Sequence, residues 1–331
     1  MVDFRYHLVS IIAVFLALAV GIVVGTAALN GPVLDSLRGS ITRLTEDKRT
    51  LESDVDTLRG EVQASDDFAL EIAPALVRGS LSGERVLLVV TPETPADLTE
   101  RLVPLLVEAG ASVTGQLSVL PALSDPEQRL LIEDLVAEVV PAGVDLPDGS
   151  PVERAAAELA AALTVAGGQS GDADGEPGAG GIDAGEAQAV VSAFQEADLV
   201  DFSSDDTTLQ QATLVVVLGG QAPTTPLEED EREGELEDER VVLALTRAFD
   251  NRAEGVVVAG PTSSGGVDGL VGLLREDADT AARVSSVDNA DRGVGVVAVV
   301  QALAEQLDGA VGQYGSGAGS SGPLPTTAPA S

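Results

Sequence analysis

The first sixty residues constrain the fold more than any other part of the sequence. A 22-residue stretch without a charged residue, Leu8 to Leu29, leads into a seven-residue apolar repeat from Leu34 to Val62. A helix of this length spans roughly 33 Å, enough for the hydrocarbon core of a bilayer. The stretch is longer than the apolar core of a cleaved signal peptide, and no small-residue cleavage site is evident after it. We therefore predict an uncleaved single-pass anchor, residues 1–30, in contact with membrane lipid.

The residues on either side of this stretch predict its orientation. Arg5, His7 and the N-terminal amine precede it and are only partly offset by Asp3. A short, weakly positive N-terminus favours the cytoplasmic side, which places the bulk of the chain outside the cell membrane. Asn30-Gly31-Pro32 predicts a break in the helix, and hence a hinge, directly after the anchor.

The repeat after the anchor predicts a coiled coil over residues 31–66. Mostly β-branched residues at position a with Leu at position d favour a parallel two-stranded coil. Lys48 is awkward in a homodimer, because two ammonium groups would meet at the seam. The partner is therefore either an identical chain or a different chain with an acidic residue there. The alternative is an amphipathic helix on its own globular domain. The predicted interface consists of Leu34, Ile41, Lys48, Val55 and Val62 at a, and Leu37, Leu44, Leu51 and Leu58 at d.

Composition excludes several classes of function. The net charge of −36 argues against a nucleic-acid partner and against polybasic attachment to anionic lipid. The chain has no Cys and one Met, so it lacks the soft ligands of a Cu(I) site. Its single His, His7, lies at the membrane edge, so the rest of the chain has no His for a Ser/His/Asp triad. We therefore predict no enzyme activity and no cofactor. The nine carboxylates of Glu228 to Glu239 predict a solvated loop and the start of a helix, with weak binding of hard cations as the alternative.

The remaining sequence predicts an α/β domain over residues 84–312, after a linker at 67–83. Apolar runs such as Arg85 to Val90 and Thr213 to Leu218 alternate with helical stretches, a pattern typical of a mostly parallel sheet flanked by helices. The Gly- and Asp-rich segment 167–182 predicts a disordered insertion. The Gly/Ser/Pro-rich segment 313–331 predicts a disordered tail.

The ends of three predicted strands suggest one candidate site. Thr91, Gly219-Gly220 and the segment Gly260 to Gly266, with Thr262 and Ser263, follow strands whose carboxyl ends converge at one edge of the sheet. Ligands of open α/β sheets bind at such an edge, so a small-molecule or anion site is one interpretation. Ordinary turn formation between strands and helices is the other.

Two sequence motifs lie at opposite ends of the chain. The first is Met1-Val-Asp-Phe-Arg-Tyr-His-Leu-Val-Ser-Ile11. The second begins Val287-Asp-Asn-Ala-Asp-Arg-Gly293 and ends Gly312-Gln-Tyr-Gly315. Together they resemble the MctB family of actinobacterial copper transport proteins, and the similarity covers nearly the whole chain apart from the insertion and the tail. Asp288 and Asn289 match the family motif, and we expect them to form a turn or a cap before the last helix, or to belong to the candidate edge.

The resemblance implies a role in copper efflux or copper homeostasis, with copper as the transported species. The family label also implies the outer membrane. Some corynebacterial members resemble envelope factors that pair through the stalk and promote cell separation by activating a peptidoglycan hydrolase. The alternative function is therefore a non-enzymatic scaffold or regulator of cell division. We predict a membrane-anchored envelope protein that pairs through its stalk.

Overall fold

The computed structural model describes residues 4–141, 144, 146–165, 182–206, 208–223 and 229–325. The chain divides into two compact units, Met1–Ala64 and Ser65–Ser331, which we call the stalk unit and the sheet unit. Most of the insertion predicted at 167–182 lies outside the described residues. Its last residue, Ile182, is buried in the core of the sheet unit.

The first element is a helix of 74 residues, α1 (Phe4–Val77). Within it, Tyr6–Gly25 is long and apolar enough to cross a membrane by its length and composition. The predicted hinge at Asn30–Pro32 is wrong, because the helix continues through these residues. Pro32 removes only one N–H from the hydrogen-bond ladder, and helical residues on both sides keep the segment in register.

The linker predicted at 67–83 is wrong over residues 67–77, which form the last turns of α1. Ala69, Ala73 and Val77 recur every four residues and are buried, so this face of the helix belongs to the core of the sheet unit. Asp66 fixes the same turns, because its carboxylate accepts the N–H of Gly293 and forms an ion pair with Arg292.

Seven strands form one sheet in the order β3-β2-β1-β4-β5-β6-β7. Among these described strands, β3 alone is antiparallel to its neighbour. The α/β prediction is therefore confirmed. The short strands β3 and β7 are additions to the predicted pattern. The strands are β1 (Arg85–Val90), β2 (Ser112–Val119), β3 (Val200–Ser203), β4 (Leu214–Leu218), β5 (Gly255–Ala259), β6 (Ser285–Val287) and β7 (Gln313–Tyr314).

Helices cover both faces of this sheet. Successive side chains of a strand point to opposite faces, so they belong alternately to two hydrophobic cores. Leu87 and Val89 of β1 pack with residues of α3 to α7 on one face. Val86 and Leu88 pack with α2, α9 and the end of α1 on the other. The helices of the sheet unit are α2 (Ala96–Glu108), α3 (Arg129–Val139), α4 (Pro151–Leu163), α5 (Ala184–Glu196), α6 (Glu229–Asp250), α7 (Leu270–Glu276), α8 (Ala278–Ala281) and α9 (Gly293–Leu307).

The prediction of a loop at the start of the acidic run is wrong for its described part, because α6 begins at Glu229. Carboxylates in the first turns of a helix interact favourably with the helix dipole, which helps this strongly charged segment to be helical. The second half of α6 is apolar, and Val241, Val242 and Leu245 are buried in the core.

The tail predicted from residue 313 is wrong for its first part. Gln313 and Tyr314 form β7, and residues 315–325 continue from it as ordered chain. Tyr314 is buried and donates a hydrogen bond to Glu305. Residues 326–331 lie outside the described residues. The polar composition misled the prediction, because hydrogen bonds to Asp288 hold this segment and, of its described residues, only Tyr314 and Leu324 pack against the apolar core.

Candidate functional site

The stalk unit presents its predicted interface to solvent. Leu44 is 69 % exposed and Leu51 is 64 % exposed, and every other large apolar side chain of the heptad seam that the structure describes is exposed as well. Large apolar side chains that recur every three and four residues along one exposed stripe are typical of a coiled-coil seam without its partner. The described members are Leu37, Ile41, Lys48, Val55, Leu58 and Val62 with the two named above, and the side chain of Leu34 lies outside the described residues.

Lys48 interrupts this seam with a charge. Its ammonium group lies 3.2 Å from Glu52, one turn further along the same helix, and both side chains are largely exposed. An exposed pair of this kind contributes little to stability. Glu52 therefore partly neutralises the charge of Lys48 within one chain. The Nζ atom of Lys48 nevertheless stays accessible.

The strand order places a switch point between β1 and β4. From β1 the chain proceeds to β2 on one side, and it later returns to β4 on the other side. The loops that leave β1 and β4 therefore diverge, and a crevice opens outside their carboxyl ends. Thr91, which follows β1, and Gly220, which follows β4, both line a cleft of about 180 Å³ at this position. We call it the switch-point cleft.

The loops beneath the cleft are held tightly together. The backbone N–H of Thr91 and the hydroxyl of Thr94 both donate to the carbonyl of Leu218. Gly220 approaches the other loop so closely that a Cβ there would lie 2.8 Å from the carbonyl oxygen of Pro92. Glu93, at the turn, adopts a left-handed backbone with φ of 65°. A non-glycine residue in this region is strained, and such strain is common where a loop is held for binding.

The other predicted edge residues lie in neighbouring loops. Gly219 donates its N–H to the carbonyl of Ala259 and continues the sheet, so it is a structural residue. Thr262 donates both its N–H and its hydroxyl to Asp291. The hydroxyl of Ser263 accepts the N–H of Ala222, which ties the loop after β5 to the loop after β4.

Asp288 is fully buried at the end of β6, where its carboxylate is already engaged. It forms an ion pair with Arg275, whose side chain is only 6 % exposed. It also accepts the backbone N–H groups of Ser316 and Gly317. The Arg275 guanidinium in turn donates to the carbonyls of Tyr314 and Ala318. This buried pair therefore holds the segment after β7 against the sheet. We call the pair of Asp288 and Arg275 the C-terminal clamp.

Some buried polar atoms have no hydrogen-bond partner among the described residues. The Oδ1 atom of Asn289, beside the C-terminal clamp, is one of them. Both carboxyl oxygens of Glu158, in the middle of α4, are others. Burial raises the pKa of Glu158 to about 7, and the charge of Arg154 partly offsets this effect. Glu158 is therefore an acid that is largely protonated below neutral pH.

The structure also uses residues that the sequence did not single out. Val241 and Val242 of α6 form part of the apolar floor of the switch-point cleft. Asp238 and Glu239, on the same helix, also line the cleft. Arg275 completes the C-terminal clamp. The positions of Val241, Val242 and Arg275 depend on how α6 and α7 pack. In the sequence, the amphipathic pattern of α6 indicates which of its faces is buried.

Comparison with known proteins gives a consistent result. A family model described as "Copper transport outer membrane protein, MctB" matches residues 1–325. A Mycobacterium tuberculosis protein named "Copper transporter MctB" is 28 % identical over 328 residues, which is 96 % of this chain and 98 % of the relative. A Mycobacterium bovis protein of the same name has the same identity and coverage. The Mycobacterium leprae protein of that name is 27 % identical over 333 residues, which is again 96 % of this chain and 98 % of the relative.

Proposed function

Because this chain belongs to the MctB family of copper transport outer membrane proteins, we propose that it takes part in copper efflux as a non-enzymatic, membrane-anchored component of the cell envelope. The apolar segment Tyr6–Gly25 is the proposed anchor, with the N-terminus inside and the sheet unit outside the cell membrane. Relatives named as copper transporters support the copper role.

Copper is the cargo in this proposal, and the ligands of the chain limit how it is handled. The chain has no Cys, one Met and one His, whereas Cu(I) sites draw on thiolate and thioether ligands. Among the described residues, no group of three or more His, Asp or Glu side chains is arranged to hold a metal ion. We therefore assign this chain an assembly role, in which the partners that it brings together handle the metal.

The observation that carries the proposal is the exposed heptad seam of the stalk unit. Water-exposed Leu, Ile and Val side chains along one stripe gain roughly 25 cal/mol for each Å² of apolar surface that a partner helix covers. A parallel partner helix matches the pattern of residues at a and d. The stalk therefore selects a helical partner, either a second copy or a different chain.

A deletion strain tests the copper role. We expect cell-associated copper to rise and growth at elevated copper to fall in this strain. The wild-type gene should restore both, as should Ser53→Glu, which places its charge at an outward heptad position. Leu51→Glu places the same charge in the seam and should fail to restore either. Normal copper content and normal tolerance in the deletion strain would contradict the proposal.

Cysteine crosslinking in native membranes tests the partner. The natural chain has no Cys, so a single Leu44→Cys provides the only thiol of the chain in the seam. A parallel pair of identical chains should form a disulfide-linked species of twice the monomer mass. A different partner should give a species of another mass with a bifunctional reagent. Glu46→Cys, at an outward position, is the matched control. Absence of any crosslinked species would favour a stalk that packs on its own domain.

The scarcity of copper ligands favours a second candidate, a scaffold or regulator in cell division that acts through peptidoglycan hydrolase activation. It uses the same seam without copper chemistry. In this case the deletion strain should grow as chains of unseparated cells while its copper content stays normal. Microscopy and copper measurement on the same cultures distinguish the two candidates.

A further inference from the structure

The switch-point cleft has the position of a ligand site but an unusual chemistry. In doubly wound sheets this crevice commonly receives phosphates, which are bound by backbone N–H groups and basic side chains. Here no lysine, arginine or histidine is among the described residues that line the cleft. Three carboxylates line it instead, from Glu93, Asp238 and Glu239. The lining therefore repels anions and attracts cations.

The floor of the cleft is apolar. Val119, the last residue of β2, and Val241 and Val242 of α6 are at most 6 % exposed, and Leu120 and Pro121 also line the cleft. By contrast, Glu93 and Asp238 are exposed, so their carboxylates belong to the solvent-exposed rim of the lining. An occupant must present an apolar group to the floor and a positive charge to the rim. A bare metal ion does not match an apolar floor, since hard cations require oxygen ligands on several sides.

The size of the cleft limits the occupant further. Pockets for drug-sized ligands enclose about 300–1,000 Å³, and this cleft encloses about 180 Å³. It therefore accommodates one short aliphatic group rather than a nucleotide or a large cofactor. The hydrogen bonds from Thr91 and Thr94 to the carbonyl of Leu218 hold the two loops together before anything binds.

We propose that the switch-point cleft binds an organic cation, an ammonium or guanidinium group on a short aliphatic stem. The stem contacts Val119, Val241 and Val242, and the positive charge lies between Glu93 and Asp238. The cation is either a free amine or a basic residue next to an apolar residue in a partner protein. This site is independent of the stalk and of copper.

Ligand-observed saturation-transfer NMR on the full-length protein in nanodiscs tests the proposal, with empty nanodiscs as a blank. The probes are pentylammonium, neutral pentanol and anionic pentanoate, which share one stem and differ in charge. We expect pentylammonium to bind more tightly than pentanol and pentanoate to give no signal. The capped dipeptide acetyl-Leu-Lys-amide tests the second source. Tighter binding of the dipeptide than of pentylammonium assigns the site to a partner segment, and binding of pentylammonium without binding of the dipeptide assigns it to free amines.

The double variant Glu93→Gln/Asp238→Asn removes the two rim charges and keeps the shape of the cleft. We expect it to weaken pentylammonium binding about fivefold or more, while pentanol binding stays unchanged and shows that the cleft is intact. The matched control, Glu276→Gln/Asp279→Asn, changes the net charge equally outside the cleft and should bind as the wild type does. Wild-type affinity in the rim variant, or pentanoate that binds as tightly as pentylammonium, overturns the proposal.

Discussion

The stalk unit and the sheet unit treat their apolar side chains in opposite ways. Leu44 and Leu51 of the stalk are more than 60 % exposed, whereas Leu87 and Leu88 of β1 are at most 1 % exposed. The sheet unit buries its own apolar surface in two cores. The stalk leaves its seam exposed, although most of the stability of a protein helix comes from packing. The two units therefore differ in whether the chain itself covers their apolar side chains.

The largest expected effect comes from breaking the stalk. Leu44→Pro removes a backbone N–H and clashes with the preceding turn, which costs about 3 kcal/mol or more in a helix interior. We expect pairing to be lost, so that light scattering on the full-length protein gives the mass of a single chain. The guanidinium-induced unfolding of the sheet should be unchanged. Ser53→Ala is the control, and a Leu44→Pro protein with the wild-type mass would refute the coiled coil.

The next effect concerns the stability of the sheet unit. Asp288→Ala leaves the buried guanidinium of Arg275 without its carboxylate and removes the acceptor for two backbone N–H groups. Loss of one partner of a buried pair costs about 3–5 kcal/mol. Guanidinium unfolding followed by circular dichroism should show this loss, and hydrogen exchange should show opening of residues 313–325.

The matched control for the C-terminal clamp is Asp268→Ala. Asp268 pairs with Arg232 on the surface, where both side chains are well exposed. Such a pair contributes about 0–1 kcal/mol. Equal losses from the two variants would show that the clamp is not a buried structural pair and would weaken the contrast between core and surface.

The sequence predicted the strands with continuous apolar runs because burial on both faces leaves an unambiguous pattern. The run Arg85 to Val90, for example, forms β1 as expected. It missed β7, because a two-residue strand has no periodicity and depends on Asp288 and Arg275, which are distant from it in the chain. The sequence analysis also missed the last turns of α1, where Ala69 and Ala73 are small residues that become buried only in the folded sheet unit.

The sequence also predicted part of the candidate edge, because some of its residues directly follow apolar strands. Thr91 and Gly220 follow apolar strands, so their position at one edge of the sheet follows from the rule for parallel strands. The apolar floor of the cleft is formed by residues of β2 and α6. Their position beside Thr91 and Gly220 depends on strand order, which the sequence does not specify. Asp288 was grouped with this edge, but its partner Arg275 lies on a helix that the sequence did not predict.

A third prediction concerns the acid buried in the sheet unit. The pKa of Glu158 in the folded protein is about 7, above its ordinary value of 4.5. The folded state therefore holds this proton more tightly, and stability is lost as the pH rises from about 4.5 through about 7. Glu158→Gln should remove a penalty of about 3 kcal/mol at pH 8 and have little effect at pH 4. Thermal melts at the two pH values measure this difference.

The control for this pH dependence is Glu133→Gln on the exposed surface of α3. It removes the same charge without removing a buried carboxylate, so its melting temperature should follow that of the wild type at both pH values. A Glu158→Gln protein that is destabilised at pH 8 would indicate that the ionised carboxylate has a favourable partner in the folded protein.

The smallest expected effect returns to the stalk and distinguishes its two kinds of partner. Lys48→Leu completes the apolar seam and removes the meeting of two ammonium groups in a pair of identical chains. In that case the self-paired form should gain about 1–2 kcal/mol per chain from the added apolar contact. If the natural partner offers an acidic residue, the same change should weaken that complex, since the acid loses its cation. Concentration-dependent thermal melts of the purified protein measure the first outcome, and the yield of the Leu44→Cys crosslink in native membranes measures the second. Lys48→Arg keeps the charge and should leave both unchanged, so a gain with Lys48→Arg would show that side-chain length, rather than charge, limits pairing at this position.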